Sequence, residues 1–297
     1  MIVCDNLLLK GLIHKAEGAP CQDAVAAFRH KRNVALALAD GAGSYQYAEV
    51  GAKRISRAAS RYMARNLDYF LRSSNETVVA SILWLIRFEL HKLHAEFPET
   101  DEYAFASTLL IVGSDGRRYV SFHLGDGAIM QQKGNGIVQM LSAMIPGQDR
   151  GTYLTTSPDE DIMANAMVHR GKANAFLLTS DGAERRLYNE TEISDSCSVI
   201  LDNFRCGYGR QYGRYLSDQI KHDLKPTDDF SLGILIADAP SAAVLKQQAE
   251  QQNTPYLTKY LLKAAQYLNR GTPHLCSAIP RFCRPAVRSA LYDLYVR

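Results

Sequence analysis

Five aspartates stand where an apolar, strand-like run meets a turn. Asp40 ends the run in LALADGAG, Asp126 lies in FHLGDGA, and Asp181 lies in FLLTSDGAE. Asp228 opens a run in PTDDFSLGIL, and Asp23 opens another in PCQDAV. A strand end fixes a carboxylate on a rigid element, and a following Gly lets a carbonyl or a substrate come close. Hard cations such as Mg²⁺ and Mn²⁺ take carboxylate, carbonyl and water oxygens. Acids that converge on one place repel each other unless a cation offsets the charge. Two such ions can share a water, lower its pKa and hold a phosphoryl group for in-line attack. The competing reading is a hairpin turn: Asp-Gly is common there, and one such Asp alone is more often a turn residue than a ligand. The repetition of the junction in one chain is what favours chemistry.

Other reactive groups point nowhere as clearly. Cys21 adjoins Gln22 and Asp23, but Ala27 stands where a cysteine phosphatase needs an Arg, so Cys21 reads as packing. Six cysteines without a C-x-x-C pair are too sparse for a disulfide scaffold. His91 and His94 share a helix face, yet no third ligand completes a metal site by spacing. The Gly-rich stretch from Gly207 to Gly213 follows no strong strand and is discounted as a nucleotide loop.

The elements that must hold these aspartates follow from periodicity. The first forty residues read as strands, the continuous apolar run at 34–39 as a buried one. Helical spacing covers 47–71 and 76–97, with Asn75 capping the second helix and Pro98 stopping it. Strands are expected over 105–112, 118–124 and 128–132, then a loop over 143–160. Further strands fall at 167–170 and 175–179 around a Gly171-Lys172 turn, and a last one at 230–237. Helices are expected near 190–204 and 210–223, and a helical tail follows from 241. This order is not the strand–helix alternation of a doubly wound fold; it predicts antiparallel sheets with helices on their outer faces.

Composition bounds the class. The chain has 297 residues, 46% hydrophobic and 22% charged, with a formal net charge of +3, which excludes disorder and low-complexity architectures. Residues 259–297 hold seven bases and one acid, leaving 27 bases and 30 acids in 1–258. The protein is thus a mildly acidic body with a basic tail. The tail lacks an aromatic-basic repeat, so packing or a protein contact is favoured over nucleic acid. No apolar window spans a membrane and the N-terminus does not read as a signal peptide, so a cytoplasmic setting is expected.

The ordered set QD, ADGAGS, ST before an apolar run, GDG, TSDG and DDFS resembles the metal-dependent protein phosphatase family of the 2C type, most of all its bacterial PCQD-containing group. The resemblance covers residues 7–238. It implies an α+β fold: a four-layer α-β-β-α sandwich of two antiparallel sheets flanked by helix pairs. Here that catalytic domain would fill 1–240, with a basic helical extension over 241–297.

Site roles are implied by the same resemblance. Asp40 would bridge two Mn²⁺ or Mg²⁺ ions, the Gly41 carbonyl would ligate one, and Asp181 and Asp228 would complete the first ion's shell. Asp23 would hold metal-bound water, and Asp126 would lie near a third, weaker ion. Ser107-Thr108 matches a structural signature. The family's phosphate-gripping Arg is replaced by Gly18, which leaves His14, Lys15, Arg29 or Arg32 to substitute; His14 is also the candidate general acid. The implied reaction is hydrolysis of a phosphoserine or phosphothreonine protein by a hydroxide bridging two ions. The alternative is a catalytically weak module that binds a phosphoprotein or a partner kinase.

Overall fold

The computed structural model describes residues 2–101, 103–134, 136–143, 152–183, 187–188, 192–205, 217–218 and 226–239. Met1–Asp238 form one compact unit. The expected helix at 210–223 lies almost wholly, and the tail at 241–297 entirely, outside the described residues.

Strand β3 (Asn33–Ala39) shows how the core is layered. All seven residues are buried. Its large side chains, Val34, Leu36 and Leu38, join one apolar cluster, and its small ones, Ala35, Ala37 and Ala39, join another. Successive strand residues face opposite sides, so the V-A-L-A-L-A run makes one bulky face and one flat face. The flat face lets helix α2 (Ala48–Phe70) lie close, and α2 answers with Ala52, Ile55, Ala59, Met63 and Leu67. Helix α3 (Asn75–Glu96) packs beside α2. The bulky face of β3 meets a second sheet.

The remaining strands are β1 (Val3–Leu9), β2 (Ala24–His30), β4 (Leu109–Ser114), β5 (Tyr119–Leu124), β6 (Ala128–Gln132), β7 (Val138–Ala143), β8 (Met167–Gly171), β9 (Ala175–Thr179) and β10 (Phe230–Ile236). One sheet has the order β2-β3-β4-β5-β8 and the other β1-β10-β9-β6-β7, all pairs antiparallel. Helices α2 and α3 cover the first sheet, and α5 (Ser196–Arg205) packs on β9 and β10 of the second. This is the four-layer α+β sandwich. No helix among the described residues is long and apolar enough to cross a membrane.

Several local expectations need correction. Residues 12–16 form a short helix, α1 (Leu12–Ala16), where a strand was expected, because the Leu12 and Ile13 N–H groups dock on the Pro226 and Thr227 carbonyls at 2.9 and 3.1 Å. The cap of α3 is Ser74, whose hydroxyl accepts from the Thr77 N–H at 3.2 Å, while Asn75 turns to the Val168 carbonyl and Arg170. Residues 105–108 are not strand, because their backbone pairs with the loop after β3 instead. A helix, α4 (Asp159–Asn165), occupies part of the expected loop. The strands around Gly171-Lys172 do not form a hairpin: β8 pairs with β5 in one sheet, and β9 pairs with β10 and β6 in the other.

Polar contacts also tie the two sheets. Tyr119 on β5 donates to Gln131 on β6 at 3.1 Å. His123 on β5 is fully buried, with Nε2 2.9 Å from the Gly125 carbonyl and Nδ1 2.8 Å from the Ser142 hydroxyl on β7. The carbonyl can only accept, so Nε2 carries the proton and Nδ1 accepts from Ser142. Burial pushes the His123 pKa down to about 4. A depressed histidine is neutral in the native state while the unfolded chain protonates below ~6.5, so its stabilisation is present above that value and lost as pH falls toward about 4. Its full loss is on the order of 3 kcal/mol. Urea unfolding of wild type and His123→Gln between pH 7 and pH 4 should show the wild type losing more stability on acidification. Parallel pH profiles would refute the buried neutral assignment.

Candidate active site

Strand register brings the aspartates together. Ala24 pairs with Ala39, so Asp23 and Asp40, one step beyond each, emerge side by side at one end of the first sheet. Ala128 pairs with Thr179, so Asp126 and Asp181 emerge near each other from the second sheet. Asp228 precedes β10, whose neighbour in the sheet is β9. Charge coupling crosses the sandwich: Asp40 feels Asp23, Asp181 and Asp126, and Asp181 feels Asp126 and Asp228. All five expected aspartates therefore meet at one end of the two sheets.

Backbone clamps hold the loop that carries Asp40 and Gly41. The Asp40 N–H donates to the Thr108 hydroxyl at 3.0 Å, and the Thr108 N–H donates to the Asp40 carbonyl at 2.8 Å. The Gly41 N–H reaches the Gln22 carbonyl at 3.2 Å. Ser107 is gripped in turn by Thr155, whose N–H donates to the Ser107 carbonyl at 2.8 Å and whose hydroxyl accepts from the Ser107 N–H at 3.1 Å. Arg87 on α3 donates to the Thr155 carbonyl at 2.8 Å and to Asp159 at 2.7 Å. The Ser107-Thr108 pair thus clamps the Asp40 backbone, with the Thr108 hydroxyl and main chain both engaged, and links it to the helix layer.

The carboxylates divide into two electrostatic kinds. Asp23 is 3% exposed, and both its oxygens are buried without a hydrogen-bond donor. Ser231 and Ser180 lie close to it, but neither closes a well-aligned hydrogen bond. Burial pushes the Asp23 pKa up to about 7. Burial, then the charges of Asp23 and Asp181, push Asp40 well above the usual carboxylate range. Asp181 rises to about 6 through burial and then the charges of Asp126 and Asp228; its Oδ1 also lacks a donor. Burial raises Asp126 as well, against a 2.8 Å hydrogen bond donated by Thr152. Asp228 is exposed and accepts from the Asp229 N–H at 2.7 Å.

Asp229 is the opposite case. It is 2% exposed, yet its pKa is lowered: burial would raise it, but donors from the Gly11 N–H, His14 and the Gln22 N–H prevail. The Gly11 N–H donates to Oδ1 at 2.7 Å and the Gln22 N–H to Oδ2 at 2.6 Å. His14 Nδ1 lies 3.0 Å from Oδ1, a close polar contact without a well-aligned hydrogen bond. This carboxylate ties the start of the domain to its last strand. Gly182 lets the tie form, because a Cβ there would overlap the Asp229 carbonyl.

A divalent cation fits this arrangement. Among the described residues no three His, Cys, Asp or Glu side chains close a ready-made ligand cluster. Their buried oxygens outnumber the donors that face them, which is the electrostatic demand a cation meets. The Cys21 thiol is pushed up to about 12 by burial and then by Asp23 and Asp229, so it is no nucleophile. Arg29 donates to the Ile2 carbonyl at 2.6 Å, and Arg32 pairs with Asp68 at 3.2 Å. Arg29 lies about 20 Å along β2 from Asp23 and Arg32 lies in the turn beyond that strand, both too far to replace the missing Arg at Gly18. Lys15 is exposed on α1 beside His14. His94 packs edge-on against Phe105 at 5.1 Å. Sequence reasoning missed the clamp by Asp229, whose one signal was an acid directly before a buried strand. It also missed Thr152, which no motif marks.

Asp229→Ala would leave two backbone N–H groups without their acceptor, at about 1–3 kcal/mol each. Urea unfolding should show a loss of ~2–5 kcal/mol, and Asp229→Asn, with one acceptor left, should fall between. An Asp229→Ala variant as stable as wild type would refute the clamp.

The comparisons with known proteins agree with this geometry. A sequence model of the protein phosphatase 2C family matches residues 10–221. Serine/threonine-protein phosphatase 3 of Escherichia coli is 26% identical over 189 residues, covering 62% of this chain and 74% of that protein. A crystal structure of a bacterial serine phosphatase with a point mutation superposes with a TM-score of 0.55 at 12% identity, covering 82% of this chain and 100% of its own. The structure of PppA from Pseudomonas aeruginosa superposes with a TM-score of 0.53 at 14% identity, covering 79% and 97%. At such identities the two structures speak for the fold alone. The family match runs from α1 past α5 and takes in Asp23, Asp40, Asp126 and Asp181; the chain belongs to the protein phosphatase 2C family.

Proposed function

We propose that this chain is an active, metal-dependent phosphatase of phosphoserine and phosphothreonine proteins. The family is divalent-metal dependent. The observation that most supports activity is the set of buried, donor-poor carboxylates drawn from both sheets. Asp40, the Gly41 carbonyl, Asp181 and Asp228 would hold two Mn²⁺ or Mg²⁺ ions, with Asp126 beside a third, weaker one. Ions bound there would supply an acidified water and polarise the phosphoryl oxygens. Asp23 would orient water at the site's edge. Asp229 would hold the Nδ1 side of His14, leaving Nε2 to give a proton to the departing seryl or threonyl oxygen. Lys15 is the cation best placed to take over from the missing Arg at Gly18. A cytoplasmic setting belongs to the same reading: Cys4, Cys21 and Cys197 are free thiols. The catalytic domain is assigned to 1–240 and the extension to 241–297.

Purified protein should release phosphate from a phosphothreonine peptide and from an aryl phosphate with Mn²⁺ or Mg²⁺, and not with chelator. Asp40→Asn and Asp181→Asn should each lower turnover by about 100-fold or more. In chelator, Asp40→Asn should melt above the wild type, because it removes one of several buried like charges. Metal-independent turnover, or full activity in Asp40→Asn, would overturn the site; no release from either substrate would favour the catalytically weak module. Deletion of 241–297 should leave metal-dependent turnover measurable, and an unfolded product would move the domain boundary.

A further inference from the structure

On α2, every fourth residue from position 53 is a cation: Lys53, Arg57, Arg61 and Arg65. All four are exposed, on the side away from the helix's buried face. Like charges four residues apart destabilise a helix, so the row opposes folding rather than assisting it. No carboxylate among the described residues pairs with any of the four. Nearby cations are paired: Arg32 with Asp68, and Arg54 with Glu89 and Glu96. The guanidinium carbons of Arg61 and Arg65 sit 5.2 and 5.6 Å from the centroid of the Phe28 ring on β2. One ring thus holds two neighbouring positive charges in place.

The row leads away from the active site. Helix α2 begins against Gly41, where an added Cβ would lie 2.9 Å from the Ala48 carbonyl oxygen. Strand β2 leaves from Asp23. Lys53 stands about 8 Å beyond the helix start, and the row runs on for ~18 Å. That is the span of about five or six extended residues.

We propose that this row is a docking strip for an acidic segment of the protein substrate, a few residues from its phosphorylated Ser or Thr. The inference rests on the phosphoprotein phosphatase reading above. Charge complementarity selects the occupant: four unpaired cations in line match an extended run of Asp and Glu. Single-stranded nucleic acid is disfavoured because it needs an open aromatic face for stacking, and Phe28 is half-buried and already covered by Arg61 and Arg65.

The test uses the full chain with Mn²⁺ and three phosphothreonine peptides: an acidic tract of about six residues before the phosphosite, the same tract after it, and a neutral peptide. An aryl phosphate serves as the small substrate. One acidic peptide should show kcat/KM about tenfold above the neutral one, the gain lying in KM and vanishing near ~0.5 M salt. Arg57→Gln with Arg61→Gln should abolish that gain and leave aryl phosphate turnover unchanged, while Arg57→Lys with Arg61→Lys should keep it. Equal kcat/KM for all three peptides, or a gain that survives the Gln changes, would overturn the strip. Fluorescence anisotropy of an unphosphorylated, labelled acidic peptide reads docking without turnover. Binding lost in the Gln variant with no hydrolysis of any substrate would sink the phosphatase reading and uphold the strip. Tighter binding of a labelled oligonucleotide or of anionic lipid vesicles, lost in the same variant, would overturn the acidic-peptide assignment.

Discussion

Mutual repulsion among carboxylates held away from water is the constraint that the rest of the fold answers. Two like charges 4 Å apart oppose each other by about 4 kcal/mol at the effective dielectric of a protein's outer layers. Asp23, Asp40 and Asp181 have few donors to relieve this. A loop could not hold them, because it would swing the side chains outward. They are held by the ends of paired strands, where each backbone is already committed to a ladder. The Asp40 loop has no ladder of its own, and the chain of contacts from Arg87 through Thr155 to Ser107 and Thr108 replaces it. Under this constraint the site can be rigid before any cation binds, which is the preorganisation that electrostatic catalysis requires.

Asp229 shows what the same residue type does when donors are present. It is as buried as Asp23, yet its pKa falls where that of Asp23 rises, because two backbone N–H groups and His14 face it. Adjacent acids in one motif therefore part company. Asp228 points to the open edge, and Asp229 stitches the first helix to the last strand. The stitch also explains why Gly11 and Gly182 are glycines: a Cβ at either would collide with the backbone of residues 228–229.

Helix α2 joins the core to the surface. Its inner face of Ala, Met and Leu rests on the alanine face of β3 and on Gly113, where an added Cβ would press against Met63 at 2.7 Å. Its first turn abuts the loop that carries Asp40 and Gly41. Its outer face carries unpaired cations away from that loop. Core packing, support of the Asp40 loop and a row of surface cations thus occupy three sides of one element.

Much of this was legible in the amino-acid order. The continuous apolar run V-A-L-A-L-A announced a buried strand, and 3.6-residue spacing announced α2 and α3, because local geometry alone sets those patterns. The Asp-Gly junctions announced candidate ligands, because residue type and turn chemistry are local too. What the chain order left open was decided by contacts between distant residues. The segment at 12–16 is helical because residues 226–227 accept its N–H groups. The strands at 167–171 and 175–179 separate because each finds a better partner in a different sheet. Asp228 and Asp229 take opposite roles because only one of them meets donors from residues 11 to 22. Residue types and their local period determined which groups were available. Tertiary structure decided which carboxylates share a site, since burial and charge coupling depend on distances through space that no sequence spacing encodes.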